Sequence, residues 1–455
     1  MKNLLVSLLA IFIITACSND PIEPEFKVMN SNFELMSEGG EIEIDIIHNV
    51  SYGIKIDGSW ITQKLTKGSN TGKLVFSIAE NYTNDTRKGT ITFTSEDAGV
   101  TAVVTVSQYG LFEIYYTNCR EDVAISVSHP DAFGTEILSN TYEGGKGTIK
   151  LNGPVTKIEN NVFYYWPISS IDLPNTITRI GSFAFVRCEY LKEIEIPNSV
   201  TTIENDVFSW CESLEKIILP DSLKIIQDKT FYYCISLKEI SLPKSLVEIG
   251  NYAFWYCGMT EISIPDKVTK IGEYAFYCNG ELAKVAIPSG VTEIKKSTFQ
   301  LCRNLKEISI PEGVKTIGET AFSQCNSLQE INIPGSVTSI GKGAFTECNA
   351  LKEVKVPDGV KTIELRTFYG CQNLQTVELP TSITTIGLAF NGCNSLTALK
   401  CLATTPPALV MPDIYSGPYE FNLPNLKIYV PESSLDAYKN ADVWKNYADI
   451  IFPLQ

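Results

Sequence analysis

The chain has 455 residues, 44 % of them hydrophobic, and a formal net charge of −15 at pH 7. That length exceeds one small domain, and the composition is ordinary for globular material. With 37 Lys and Arg against 52 Asp and Glu, both spread along the chain, it lacks the basic patch that nucleic acid or a bare anionic membrane would need as partner.

Lys2 and the apolar run from Leu4 to Ile14 read as a processing signal, too short for a stop-transfer helix. The step Ile14-Thr15-Ala16-Cys17 resembles a bacterial lipobox, which implies a signal over residues 1–17 and a lipidated Cys17. Residues 18–25 are polar and proline-bearing, as a tether should be. Asp20, Glu23 and Glu25 resemble the acidic signal that sends Bacteroidetes lipoproteins to the outer face of the outer membrane; the plainer alternative faces the periplasm. The expected anchor is lipid, without a transmembrane helix.

Residues 26–110 alternate apolar and polar side chains, with a Gly39-Gly40 break and then the runs KLVFSIAEN, GTITFTS and VTAVVTVSQYG. The pattern predicts an all-β sandwich. Ser59-Trp60-Ile61, Asn81, Arg87-x-Gly89-Thr90-Ile91 and Gln108-Tyr109-Gly110 resemble the BACON domain, an immunoglobulin-like module. The resemblance implies carbohydrate binding or a spacer role. Trp60 could stack on a sugar, but a single Trp at a strand edge is more often sandwich core. Residues 111–150 carry two apolar stretches and Gly144-Gly145-Lys146-Gly147, and read as a connector and the atypical N-terminal cap of a repeat array.

From residue 151 to 401 one phrase repeats about eleven times, as in LKEISIPEGVKTIGETAFSQCNS. Its proline recurs from Pro174 to Pro380 at 23-residue steps, with one step of 22 between Pro243 and Pro265. Its phenylalanine keeps the same beat from Phe163 to Phe390. A period of 20–29 with an L-x-x-I-x-I core predicts a leucine-rich-repeat solenoid. In the copy at Leu305, the residues Leu305, Ile308 and Ile310 point inward and Pro311 ends the strand. Val314 and Ile317 form a second apolar pair, Gly318 a tight turn, and Ala321-Phe322 with Cys325 a short helical or 3₁₀ plug. The predicted fold is mainly β: an immunoglobulin-like sandwich, then a solenoid with one parallel sheet and short helical turns. The phrase resembles BspA-like leucine-rich repeats. Residues 402–455 leave the beat and read as the C-terminal cap, with Tyr438 and Trp444 packed over the last coil.

Ten of the 13 cysteines fall at one phase: Cys188, Cys211, Cys234, Cys257, Cys278, Cys302, Cys325, Cys348, Cys371 and Cys393. Stacked side chains that all point inward do not face one another as a disulfide requires, so buried thiols are expected, although an exported chain permits bridges. A spacing of about 23 offers no zinc knuckle. With only His48 and His129, no nucleophile, base and orienter can be named, so no enzyme and no cofactor is expected.

Two surfaces could take a ligand. The sheet face carries Glu239, Glu261, Lys284, Glu307, Glu330 and Glu353 in one column, which is also what a solvated, charge-compensated face would show. Beside the repeat phenylalanine, the early coils carry Tyr164, Tyr165 and Trp166, then Trp210, Tyr232 and Tyr233, Trp255 and Tyr256, and Tyr277. Exposed Tyr and Trp suit protein hot spots and sugar platforms alike; packing against the β domain or the cap is the other reading. The family resemblance implies a non-enzymatic surface adhesin for host extracellular-matrix protein or mucin. A glycan-binding accessory lipoprotein and an envelope scaffold are the alternatives, and the oligomeric state is not encoded.

Overall fold

A computed structural model describes residues 23–64, 72–81, 83, 86–110, 112–119, 123–127, 129–410, 423 and 425–454. Cys17, the signal and most of the tether lie outside them. Contacts divide the chain into Met1–Leu111 and Phe112–Gln455.

In the first unit, eight strands form two sheets. One orders Phe26–Val28 (β1), Gly40–His48 (β3), Lys73–Ile78 (β6) and Ile61–Lys64 (β5). The other orders Asn32–Leu35 (β2), Val100–Gln108 (β8), Arg87–Ser95 (β7) and Gly53–Asp57 (β4). Alternation decides what is buried: Ile42, Ile44 and Ile46 of β3 meet Phe76, Phe93 and Val104 in the core, while Glu41, Glu43 and Asp45 face out. Gln108 is fully buried, and its side chain explains two of the motif residues. Its Nε2 donates to the carbonyls of Met36, Ser37 and Ala79, and its Oε1 accepts from Arg87 Nε at 2.9 Å and Nη2 at 2.7 Å. The Arg87 guanidinium then lies 4.4 Å over the Trp60 ring. Trp60 is thus half-buried at the margin of the core, with Arg87 over its ring.

The second unit opens with an antiparallel sheet ordered Ile137–Glu143, Lys146–Leu151, Glu113–Asn118 and Ile168–Asp172. Gly144 and Gly145, at φ 58° and 84°, supply the two left-handed residues that a tight hairpin needs. The last strand belongs to the first coil, so the cap covers the open end of the solenoid by pairing with it.

Each coil then runs alike. Glu307–Ser309 pairs in parallel with Lys284–Ala286 of the coil before it. The Pro311 carbonyl accepts Val314 N–H at 3.1 Å and turns the chain. Thr316–Ile317 joins a second ladder, between Glu293–Ile294 and Ser339–Ile340. At Gly318 a Cβ would sit 2.7 Å from backbone atoms of Lys295 and Lys296, so the coils close up only with glycine there. The predicted single sheet is therefore two narrow ladders. The first is interrupted at residues 237–242 and 259–264, where the short step leaves Cys257-Gly258-Met259 one residue tighter than its neighbours, and again at 328–333. The expected helical plug takes the form of consecutive turns about the phenylalanine.

That phenylalanine makes the core. Twelve rings stack from Phe133 to Phe390 with centroids 4.9–6.0 Å apart, and from Phe185 onward neighbouring planes lie within 13°. Near-parallel rings at these distances are offset-stacked. Phe133 stands 30 residues ahead of Phe163, off the beat, so the periodicity hides it inside the cap. At the other end Tyr438 and Trp444 are buried; the Tyr438 hydroxyl donates to the Ala403 carbonyl at 2.9 Å and Trp444 Nε1 to the Pro407 carbonyl at 2.7 Å.

Removing a mid-spine ring loses its own burial and strands the rings on both sides. Phe276→Ala is expected to destabilise the solenoid by about 3–5 kcal/mol. Phe133→Ala, with a spine neighbour on one side only, should cost less; denaturant midpoints of the two variants check this order.

Candidate functional site

The backbone about the phenylalanine alternates, and the alternation aims side chains outward. Thr320, Phe322 and Gln324 donate their N–H groups to the carbonyls of Lys342, Ala344 and Thr346 on the next coil, at 2.7–2.9 Å. Thr320 and Gln324 have φ 51° and 60°. Left-handed residues therefore recur two places before and two places after the buried phenylalanine, at Asp206 and Trp210, Lys229 and Tyr233, and Tyr252 and Tyr256. A non-glycine residue pays conformational strain there, and the bonds to the next coil hold it.

These positions sort the expected aromatic stripe. Trp210, Tyr233 and Tyr256 share one column, with centroids 3.9 and 5.0 Å apart and planes 26° and 10° apart. Tyr232, Trp255 and Tyr277 form the adjacent column, at 4.5 and 5.5 Å and within 9°. The columns touch through Tyr233 and Trp255 at 6.0 Å. Sequence reading missed a third column, Tyr252 and Tyr274, stacked at 4.7 Å and 4°. Applying the two-residue alternation backward from Phe254 and Phe276 would have found it. All six residues of the first two columns retain exposure, Tyr256 at 40 %. Burial raises the phenols of Tyr232, Tyr252 and Tyr277, so they remain protonated donors.

The first-coil residues stand apart. Val186 and Arg187 occupy the coil between, so Tyr164 and Tyr165 do not join the stacks; they are 46 % and 57 % exposed. Trp166 is not in the stripe. Three places past Phe163, it sits at the cysteine phase and lines, with Val123, Tyr164, Tyr165 and Pro167, a cleft of about 700 Å³. In later coils the same outward positions are mixed, with Leu301 and Tyr369 among polar residues, as where Gln324 Nε2 donates to Glu347 at 2.9 Å.

The charged column also divides. Lys284, Glu307, Glu330 and Glu353 line one shallow groove of about 720 Å³. Glu239 and Glu261 lie outside it, in two of the three coils where the first ladder is interrupted. Lys284 and Glu307 pair at 2.7 Å, which raises the lysine and lowers the carboxyl. Among the described residues Glu330 and Glu353 form no ion pair.

The cysteines point inward as free thiols, with one correction to the column. Phe276 is followed by Tyr277-Cys278-Asn279, so Asn279 takes the buried place and Cys278 the outward one. Nine thiols donate to the phenylalanine carbonyl of the preceding coil at 3.0–3.3 Å. Asn279 Nδ2 makes the same bond to Phe254 at 2.7 Å. Among the described residues no cluster of three or more His, Cys, Asp or Glu could hold a metal ion, and no helix is long and apolar enough to cross a membrane.

Compared with known proteins, the chain matches the BspA type leucine rich repeat region, in 6 copies, over residues 156–280 and 269–397. Residues 47–109 match BACON, an N-terminal domain named for binding. No curated protein matches the chain. Similar solved structures include a leucine rich cell surface protein from Faecalibacterium prausnitzii, 26 % identical over 62 % of this chain and 95 % of that one, with TM-score 0.38. A leucine-rich repeat protein from Bacteroides ovatus is 25 % identical over 71 % and 100 %, TM-score 0.40. The T. pallidum leucine rich repeat protein is 32 % identical over 39 % and 74 %, TM-score 0.32.

Two outcomes are expected. Tyr256→Gly should be more stable than Tyr256→Ala by about 1 kcal/mol, because only glycine relieves the left-handed backbone; equal denaturant midpoints would contradict the strain. The second concerns pH. Cys188, Cys211, Cys234, Cys257, Cys302, Cys325 and Cys348 are raised chiefly by burial, Cys348 to about 12, and Cys371 chiefly by the neighbouring Cys393 thiol. Folded values above unfolded ones mean that this stability is complete below about pH 8.5 and is lost as pH rises toward the folded values. Each thiol contributes a loss of about 1.4 kcal/mol per pH unit in that window. Denaturation midpoints in reducing buffer at pH 7.5 and 10 should fall less steeply for Cys325→Ala/Cys348→Ala than for the unaltered chain.

Proposed function

The chain belongs to the BspA-type leucine-rich repeat family and carries a BACON domain, and from that premise we propose a non-enzymatic cell-surface binding protein whose ligand is a protein. Neither matched family is enzymatic. In this reading the lipid on Cys17 holds the chain at the outer membrane, and the aromatic columns of the early coils hold the partner, a host matrix protein or a mucin polypeptide.

One observation carries the choice of a protein over a sugar. Stacking a pyranose requires a free aromatic face, and here the faces are used up against one another along the solenoid. What the columns offer is a row of ring edges and phenol hydroxyls, large rigid area with hydrogen-bond donors, which suits a protein hot spot. Glycan capture finds its best place at the first coil, where Tyr164 and Tyr165 are tilted at 34° rather than stacked.

The test is binding of the full chain to immobilised matrix proteins, native mucin and deglycosylated mucin. Binding that survives deglycosylation and weakens about tenfold in Tyr233→Ala/Tyr256→Ala is the expected result. Signal lost with the sugars would move the assignment to glycan capture. Unchanged affinity in the double variant would remove the aromatic columns from the site.

A further inference from the structure

We propose that Arg187 is a carboxylate clamp, and that with the adjoining cleft it takes an extended acidic peptide whose Glu or Asp is followed by an apolar residue. This deepens the protein-binding reading and rests on it.

Arg187 holds, on the second coil, the outward left-handed position that Tyr165 holds before it and Trp210 after it, with φ 59°. Its guanidinium carbon lies 5.5 Å from the Tyr165 ring centroid and 5.1 Å from that of Trp210. The cation fills the gap between the first-coil tyrosines and the stacked columns. A guanidinium held between two rings leaves its N–H donors for a partner, in the fork geometry that matches a carboxylate. The rings on either side also confine the side chain, so less rotamer freedom is lost when a partner docks.

The rim is unused. Among the described residues Arg187 has no ion pair and no side-chain hydrogen bond, although Glu189 stands two places after it and Glu212 two places after Trp210 in the sequence. Arg179 shows the structural alternative on the same coil: it is held by Glu159 at 3.2 Å and by Glu204 at 2.7 Å. A guanidinium that only filled a gap would be expected to gain such a neighbour in a chain with 52 acidic residues. The overall charge of −15 works against an anionic partner at long range. At physiological salt that repulsion is screened beyond about 8 Å, which leaves the decision to the local group.

Tyr165 is common to the clamp and the cleft, which is mostly apolar and lined by Val123, Tyr164, Trp166 and Pro167. Neighbouring residues of an extended peptide can therefore divide between them, the carboxylate to Arg187 and the apolar side chain to the cleft.

The experiment is calorimetric titration of the full chain with acetyl-(Glu-Phe)₂-amide, its Gln-Phe counterpart and sialyllactose. The acidic peptide is expected to bind, with at least about tenfold weaker binding for the Gln-Phe peptide or for Arg187→Gln. Arg187→Lys keeps the charge but loses the fork and should weaken binding several-fold. Gln324→Ala, at an outward position of a later coil, should leave this titration unchanged. Equal binding of the two peptides, no effect of Arg187→Gln, or sialyllactose binding in place of the acidic peptide overturns the proposal. If the acidic peptide fails while matrix-protein binding persists in Arg187→Gln, the clamp falls and the protein-binding reading stands. The comparison of two peptides on the unaltered chain does not depend on how any variant folds.

Discussion

Backbone hydrogen bonding between successive coils sets a spacing of about 4.8 Å, and each coil carries one phenylalanine that must be buried at that spacing. Offset stacking of near-parallel rings satisfies both demands, and the spine from Phe133 to Phe390 is the result. A single coil has too few apolar groups to fold, so stability resides in the interfaces between coils. Caps are then obligatory: Glu113–Asn118 pairs with the first coil, and Tyr438 and Trp444 close the last.

The same spine explains the outward surface. To point each ring inward while its N–H reaches the next coil, the chain alternates, and left-handed residues result on either side. Glycine satisfies such a position without strain, and Gly343, Gly370 and Gly392 do so in the later coils. The early coils place Tyr and Trp there instead. Large rigid aromatic side chains presented to solvent side by side are the pattern expected of a surface kept for binding. Later coils hold the same left-handed backbone at Gln324 and Glu347 with polar side chains bonded to each other.

The interior shows how one backbone demand can be met by different side chains. From Phe163 to Phe368 each phenylalanine carbonyl of the spine faces an inward corner with room for a small donor, and in nine of the ten a thiol fills it without bringing charge. Where the cysteine stands only two places past Phe276, Asn279 occupies the corner three places past it and makes the same bond, and Cys278 is turned outward. Identity of spacing in the sequence is therefore not identity of place, since the phase is counted from the buried phenylalanine.

The amino-acid sequence by itself determined the repeat, its period, the sandwich ahead of it and the inward residues, because burial follows short-range periodicity that can be counted along the chain. It also placed Trp210, Tyr232, Tyr233, Trp255, Tyr256 and Tyr277 on one side of the solenoid. Only the tertiary structure decided that Trp166 lines the cleft, that Tyr252 and Tyr274 form a third column, and that Glu239 and Glu261 lie outside the groove. It alone decided that the rings use their faces on one another and that Arg187 bridges two of them. The physical reason is common to these cases. Contacts between residues about 23 apart depend on the φ sign and the lateral offset of each coil, and neither is written in the spacing of side-chain types.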